Sequence, residues 1–398
     1  MKFVVTLRRI GAALLVGAIA AVDVSAQSSR APRVVDIQAA DSVVLKATLF
    51  PSARSGPSPA VLLLHQCDEQ RKVWDPLGAR LAQAGMTVLS LDYRGYGESG
   101  GTPHEQLAPA VFEDVQAKQW PADIELAFAF LSKQPGVDTT RMAAGGGSCG
   151  VNSAVHLAMR HGNVKALALL AGGTNRAARK FLASPGAPPI FVAAAGDDQY
   201  ADFVSIMGWY AAQSANPQTR MAQYRDGGHA AVMFRAHPGL ADTIATWFAV
   251  VMKIRGAELP RTNGIPMQTA TMRVLEEIDR AGGAAAVTAQ LTAARARNPA
   301  AQLFPEYFVN QLGYEHFQVQ DLPGALAIMK LNVLAYPASP NAMDSLGDIY
   351  LAMGDQAAAL KAARETLLLL AKDTADSEAR KQDIRSAAED KIKRLGGS

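Results

Sequence analysis

Five short apolar runs punctuate the first two-thirds of the chain: Ala60–Leu64, Thr87–Leu91, Met142–Gly145, Lys165–Ala171 and Pro189–Ala195. Unbroken apolar stretches of this length are what a strand buried on both faces requires, because each side chain has to meet a covering layer. The segments between them carry a different rhythm. Trp74, Leu77, Leu81 and Ala84 recur at helical spacing, as do the apolar residues of Trp120–Gln134 and Val151–His161. Strands alternating with helices predict a parallel sheet with helices on both faces. Ahead of it, Val34–Phe50 reads as two strands joined by Ala40-Asp41-Ser42. Behind it, Arg220–Tyr224 reads as the last strand. The Pro- and Ser-rich stretch 51–59 is a loop.

The first residues follow another pattern. Lys2, Arg8 and Arg9 precede an apolar segment, Ile10–Val22, and then Val24-Ser25-Ala26. This is the layout of a secretory signal peptide cleaved after Ala26, and the apolar segment is short for a bilayer span. Export to the periplasm or medium is the expectation. Losing residues 1–26 removes Lys2, Arg8, Arg9 and Asp23, so a net charge of +3 falls to +1. No polybasic face then remains to suggest nucleic acid or an anionic membrane as partner. Two cysteines cannot scaffold a chain of 398 residues, so packing must hold the fold.

The candidate chemistry centres on Gly146-Gly147-Ser148-Cys149-Gly150. A run of glycines makes a chance Gly-x-Ser-x-Gly match easy. Its weight comes from the flanks, an apolar strand before and a helical segment after, which together describe a nucleophile elbow. Two further elements accompany it: the apolar strand ending in His65, and Asp92-Tyr93-Arg94-Gly95-Tyr96-Gly97-Glu98-Ser99 after the next strand. On these motifs residues 34–255 resemble the α/β-hydrolases, close to the dienelactone hydrolases and small esterases.

The resemblance implies an α/β-hydrolase fold and a serine hydrolase acting on carboxylic esters or related acyl substrates, with a peptidase as a variant. Ser148 would be the nucleophile. The acid is expected after the Pro189–Ala195 strand, where Asp198 is preferred and Asp197 competes. His229, just past the last strand, would be the general base, giving the order Ser148, Asp198, His229. The oxyanion hole is expected from the backbone N–H of Cys149 and that of Cys67; Gln66 stands where the family usually has glycine, which leaves the second donor open between Gln66 and Cys67. If so, the two cysteines flank one hole and a Cys67–Cys149 disulfide becomes a hypothesis; two buried thiols are the alternative. No metal cluster and no dinucleotide or phosphate-binding glycine motif is evident, so no cofactor is implied. The short interval 172–188 leaves little room for an inserted lid, which predicts an open site.

After 255, the Pro- and Gly-containing stretch 256–266 reads as a linker and 267–398 as all-helical. Leu312-Gly313 recurs as Leu346-Gly347, Asp321 as Asp355 and Ala325-Leu326 as Ala359-Leu360, all at an offset of 34. That period resembles a tetratricopeptide array, with a leading helical pair over 270–298 and a closing helix over 377–395. Such repeats offer a surface for a peptide or protein partner, or merely pack against the hydrolase unit. The second functional reading follows from them: a scaffold whose hydrolase fold is catalytically silent.

Overall fold

The computed structural model describes residues 31–396 apart from 201, 255 and 257. The expected signal peptide, 1–26, lies outside the described residues. Among those described, no helix is long and apolar enough to cross a membrane.

Eight strands form one sheet: β1 (Arg33–Gln38), β2 (Val44–Phe50), β3 (Ser58–Leu64), β4 (Thr87–Leu91), β5 (Val137–Gly147), β6 (Val164–Leu170), β7 (Ile190–Ala195) and β8 (Arg220–Tyr224). Their order is β1-β2-β4-β3-β5-β6-β7-β8. β1 and β2 pair antiparallel, β2 runs antiparallel to β4, and the rest are parallel. This is the sheet order of the α/β-hydrolase fold. The apolar runs are its central strands. Every residue of β3, β4 and β7 is buried, as two covered faces demand. The half-polar β1 sits at the edge, where one face meets water.

Helices α1 (Asp75–Ala84), α2 (Trp120–Ser132), α3 (Cys149–Arg160), α4 (Arg176–Leu182), α5 (Phe203–Gln213) and α6 (Gly239–Val251) cover the sheet. Gly85 ends α1 at φ 103°, a left-handed cap that satisfies the Leu81 and Ala82 carbonyls. The interval 172–188, expected to be too short for an inserted lid, holds only the short α4, capped by the Asn175 side chain on the Ala178 N–H.

The stretch read as a linker is strapped to the sheet. Asn263 Oδ1 accepts from the Gln223 N–H at 3.0 Å, and the Gly264 N–H donates to the Met221 carbonyl at 3.0 Å. It thereby covers part of the exposed edge of β8. A Cβ on Gly264 would lie 2.6 Å from that carbonyl, so only glycine permits the approach.

Seven helices follow: α7 (Ala270–Ile278), α8 (Gly283–Arg297), α9 (Glu306–Gln318), α10 (Leu322–Ala335), α11 (Pro340–Ala352), α12 (Gln356–Leu370) and α13 (Glu378–Arg394). The offset of 34 is visible in the structure. α9 and α11 begin and end that far apart, and Asp321 and Asp355 cap α10 and α12 in the same way, on the N–H three residues on. Gly313 faces Met329 so closely that a Cβ would lie 2.6 Å from its side chain, which is why a small residue recurs in each pair. Met272, Leu275, Val309 and Leu312 belong to the same continuous apolar core as the sheet, so the helices are packed onto the sheet region rather than tethered beside it.

Candidate active site

Ser148 stands between the end of β5 and the start of α3 with φ 51°, ψ −120°. A side chain in the left-handed region costs on the order of 1–3 kcal/mol and persists only where its surroundings impose it. Here they are glycines. A Cβ on Gly146 would lie 2.1 Å from the Gly150 carbonyl oxygen, and one on Gly150 would lie 2.4 Å from that of Leu64. The elbow is therefore as sharp as its sequence suggested, and the Ser148 side chain sits at the positive end of α3.

The two acids after β7 have separate tasks. Asp198 Oδ2 accepts from His229 Nδ1 at 2.7 Å, with both side chains buried. Asp197 instead accepts from the backbone N–H groups of Gly228 (2.9 Å) and Gly227 (3.2 Å), which sit at φ 73° and 127°. Those two donors, the Gly228 one foremost, hold the Asp197 pKa below its ordinary value. Asp197 thus shapes the loop and Asp198 orients the ring. With Nδ1–H given to Asp198, the Nε2 lone pair of His229 is left for a proton. Gly147 and Ala230, the neighbours of Ser148 and His229, are in contact: a Cβ on Gly147 would lie 3.2 Å from that of Ala230. Among the described residues no hydrogen bond joins Ser148 to His229; such contacts commonly close only when substrate is bound.

Cys67 and Cys149 are joined by a disulfide, with Cα atoms 5.9 Å apart, well inside the range a bridge requires. Neither backbone N–H meets an acceptor among the described hydrogen bonds, so both are available to an oxyanion. The peptide between Gln66 and Cys67 is held by His65, whose Nδ1–H donates to the Gln66 carbonyl at 2.6 Å while Nε2 accepts from the Tyr93 N–H at 3.2 Å. Burial pushes the His65 pKa down to about 4, so the neutral ring that this pairing needs is the one present. Since the carbonyl and the next N–H of a peptide point in opposite directions, fixing one aims the other.

What the sequence did not disclose is the part played by the Gln66 side chain; the residue stood there as a departure from the usual glycine and as an alternative to Cys67 for the second donor. Its side chain accepts from the Ala231 N–H at 2.9 Å and donates to Asp68 Oδ1 at 2.9 Å, with a longer contact to the His229 carbonyl at 3.4 Å. It ties the donor loop to the histidine loop across 165 residues of sequence. Tyr200 adds a second tie from the acid loop, its hydroxyl on Asp68 Oδ2 at 3.1 Å and its ring 4.5 Å from that of His229. No local pattern announces either residue, because each is defined by a partner far along the chain.

The turn after β4 supports this from behind. Arg71 is fully buried; its backbone N–H and guanidinium both bind Asp92, and its other arm binds Glu98 at 2.7 Å. Lys72 and Arg71 hold the Glu98 pKa down to about 2. Gly97 leaves room for the Asp92 carboxylate, which a Cβ would meet at 2.3 Å.

A cleft of about 380 Å³ runs from Cys149 past Asn152 and Thr174 to Gln311, Tyr314 and Gln318 of α9. A second cavity of about 170 Å³ adjoins it between α4, α5, α7 and α9. The seam there is ionic. Arg179 makes a two-pronged contact with Glu315 (3.1 and 2.7 Å) and lies over the Trp209 ring, and Arg176 binds Asp279.

A family model described as serine aminopeptidase, S33, matches residues 55–226, and so spans β3 to β8 together with the elbow. Two uncharacterised proteins of Mycobacterium tuberculosis, one from strain H37Rv and one from strain CDC 1551, are each 36% identical to this chain over 131 residues. That stretch is 33% of this chain and 42% of either relative, so the chain spans about two-fifths of the length of the curated relatives it matches. Among solved structures, the Pyrococcus furiosus esterase Pf2001 is 16% identical with a TM-score of 0.44, covering 57% of this chain and 95% of its own. Est1E from Butyrivibrio proteoclasticus, solved with ferulic acid bound, is 16% identical with a TM-score of 0.45, covering 56% and 100%.

Proposed function

We propose that the chain is a serine hydrolase that cleaves carboxylic esters or related acyl substrates through an acyl-enzyme. The observation that carries this reading is Ser148, held at φ 51° on the elbow beside the His229–Asp198 pair. Folding energy spent on a strained serine next to an oriented imidazole has a ready use in nucleophilic catalysis and none in packing.

In the proposed reaction Ser148 Oγ attacks the acyl carbon and its proton passes to His229 Nε2. The N–H groups of Cys149 and Cys67 receive the oxyanion. Collapse breaks the bond to the leaving group, which departs with the proton from His229. Water then attacks the acyl-serine, giving a proton to His229. When the second tetrahedral species collapses, the acid product leaves and Ser148 Oγ takes that proton back. Asp198 stays ionised throughout and holds the ring.

The disulfide supports the expected export, since such bonds persist in oxidising compartments. The mature chain is taken to comprise the hydrolase unit (34–255), the strap (256–266) and a tetratricopeptide-like unit (267–398). The paired helices, the period of 34 and the repeated caps support that last likeness. A peptide partner on the repeats and a catalytically silent scaffold form the second reading, which the strained serine argues against.

A fluorophosphonate applied to the unreduced chain is expected to leave its adduct on Ser148 and to leave none in His229→Ala. An unlabelled folded protein, over probes of several sizes, would sink the mechanism. Because the matching family model is described by a peptidase activity, unlabelled enzyme is then compared on p-nitrophenyl esters and aminoacyl p-nitroanilides. Faster turnover of the anilides would move the reading to a peptidase.

A further inference from the structure

Substrate selectivity in this chain is assigned by its structure to a helix outside the sheet region. We propose that α9 forms one wall of the substrate cleft, and that the group it receives is uncharged and hydroxyl-rich, as in a sugar ester. The inference rests on the hydrolase reading above and deepens it.

Three observations carry it. The cleft of about 380 Å³ begins at Cys149, the residue after the nucleophile, and its far side is α9. The interval 172–188 contributes only the short α4, and Gln116 and Trp120, at the entry to α2, line the cleft beside it. The lining is also chemically uniform: Asn152, Thr174, Gln311 and Gln318 are all neutral. The one carboxylate in the wall, Glu315, is consumed by Arg179. An ionic substrate would find no free countercharge there, and an aliphatic chain would strand the amides without water.

What remains unspent describes the guest. Asn152 uses its Oδ1 on Thr174 Oγ1 (2.8 Å) and the Asn175 N–H (3.3 Å), which leaves its amino group as a donor. Gln318 makes no hydrogen bond among the described residues, so it offers both a donor and an acceptor. Trp120 lines the same cleft and is only 3% exposed, yet its indole N–H has no acceptor among the described residues. Donors and acceptors mixed at short spacing match a hydroxyl, which is both at once.

The test uses the full chain with 6-O-acetylglucose and p-nitrophenyl octanoate as substrates. In Gln311→Leu and in Gln318→Leu, the ratio of kcat/KM on the sugar ester to that on the octanoate is expected to fall roughly tenfold, the size expected for a lost specific hydrogen bond. An unchanged ratio in both variants overturns the proposal. Calorimetry with the Ser148→Ala chain separates this from failure of the hydrolase reading. Binding of 6-O-acetylglucose that Gln311→Leu weakens upholds the cleft even if no ester is ever turned over. Absence of binding together with absence of sugar-ester turnover refutes it.

Discussion

Two buried polar regions of this protein are built in opposite ways. Around Ser148, groups are oriented but left with capacity to spare: His229 Nε2 and the N–H groups of Cys67 and Cys149 have no acceptor or donor supplied by the described residues. At the seam between α4 and α9, capacity is exhausted. Arg179 binds Glu315 twice and the Thr174 carbonyl once, while Arg176 and His316 share Asp279. A buried polar group without a partner is expensive. The groups left unpaired around Ser148 are ones a reacting substrate would pair, whereas the charged groups of the seam are paired with one another. Perturbing either region should expose this difference: changes at the site should remove activity and spare the fold, and changes at the seam should do the reverse.

The largest effect is expected from the acid. Asp198→Asn would present the wrong hydrogen-bonding face to His229 and should lower kcat by about 10⁴-fold. Asp197→Asn keeps one oxygen for the Gly227 and Gly228 donors and should cost less than about tenfold. Steady-state rates on one ester compare them directly. Equal losses would mean that the two acids are not divided as their contacts indicate.

Next comes the disulfide, which belongs to both sides of the comparison. It closes an interval of 82 residues and also spans the two proposed oxyanion donors. Loop-closure entropy for such an interval puts its loss at roughly 4.5 kcal/mol of unfolding free energy, read from denaturant unfolding curves. Loosening one donor should lower kcat by up to about 10²-fold. Cys67→Ser with Cys149→Ser, assayed at a temperature where the fold persists, reads both. Stability lost with kcat intact would leave the bridge a staple and nothing more.

How much of this the sequence disclosed follows the same division. The sheet was legible because apolar runs and the elbow glycines obey local rules: Thr87–Leu91 and Arg220–Tyr224 begin and end in the structure where the pattern placed them. The repeats were legible from a period. Ser148, Asp198 and His229 could be picked out by order along the chain, and their spatial relation then required the fold. Gln66, Tyr200 and Arg179 were illegible, because each acts through a residue more than a hundred positions away. The interval 172–188 read as too short for a lid and holds only the short α4; that α9, far beyond the last strand, lines the cleft beside Cys149 could not be read locally. The strap at 263–264 likewise looked like a linker, since nothing local says which strand edge a Gly-Pro segment will cover.

At the seam, Arg179→Met would leave Glu315 buried without its partner and should cost about 3–5 kcal/mol. Adding Glu315→Leu to it should recover much of that, because removing both charges abolishes the desolvation problem. Urea denaturation of the two single variants and the double variant forms the cycle. A strictly additive outcome would deny the pair its coupling and make the seam no different from a surface contact.

The smallest effect lies in a single histidine. His316 is held between Asp279 (3.1 Å from Nε2) and Asp321 (2.7 Å from Nδ1), and the Asp279 contact leads in raising its pKa above 6.5. Arg176, also on Asp279, opposes that rise. A group with a raised folded pKa stabilises fully below its unfolded pKa, near 6.5, and loses that contribution as pH climbs through the folded value. The wild-type chain should therefore lose stability relative to His316→Gln as pH rises from below about 6.5 through the raised folded value, a window set by the unfolded value and the upward shift. Paired melting curves across that range measure the difference. Activity on a small ester should change with pH alike in both proteins, since His316 reaches the site only through the seam. If the two melting temperatures instead kept a constant gap across the window, the imidazolium would contribute nothing to the joint. The two carboxylates would then be held by Arg176 and the α10 cap alone.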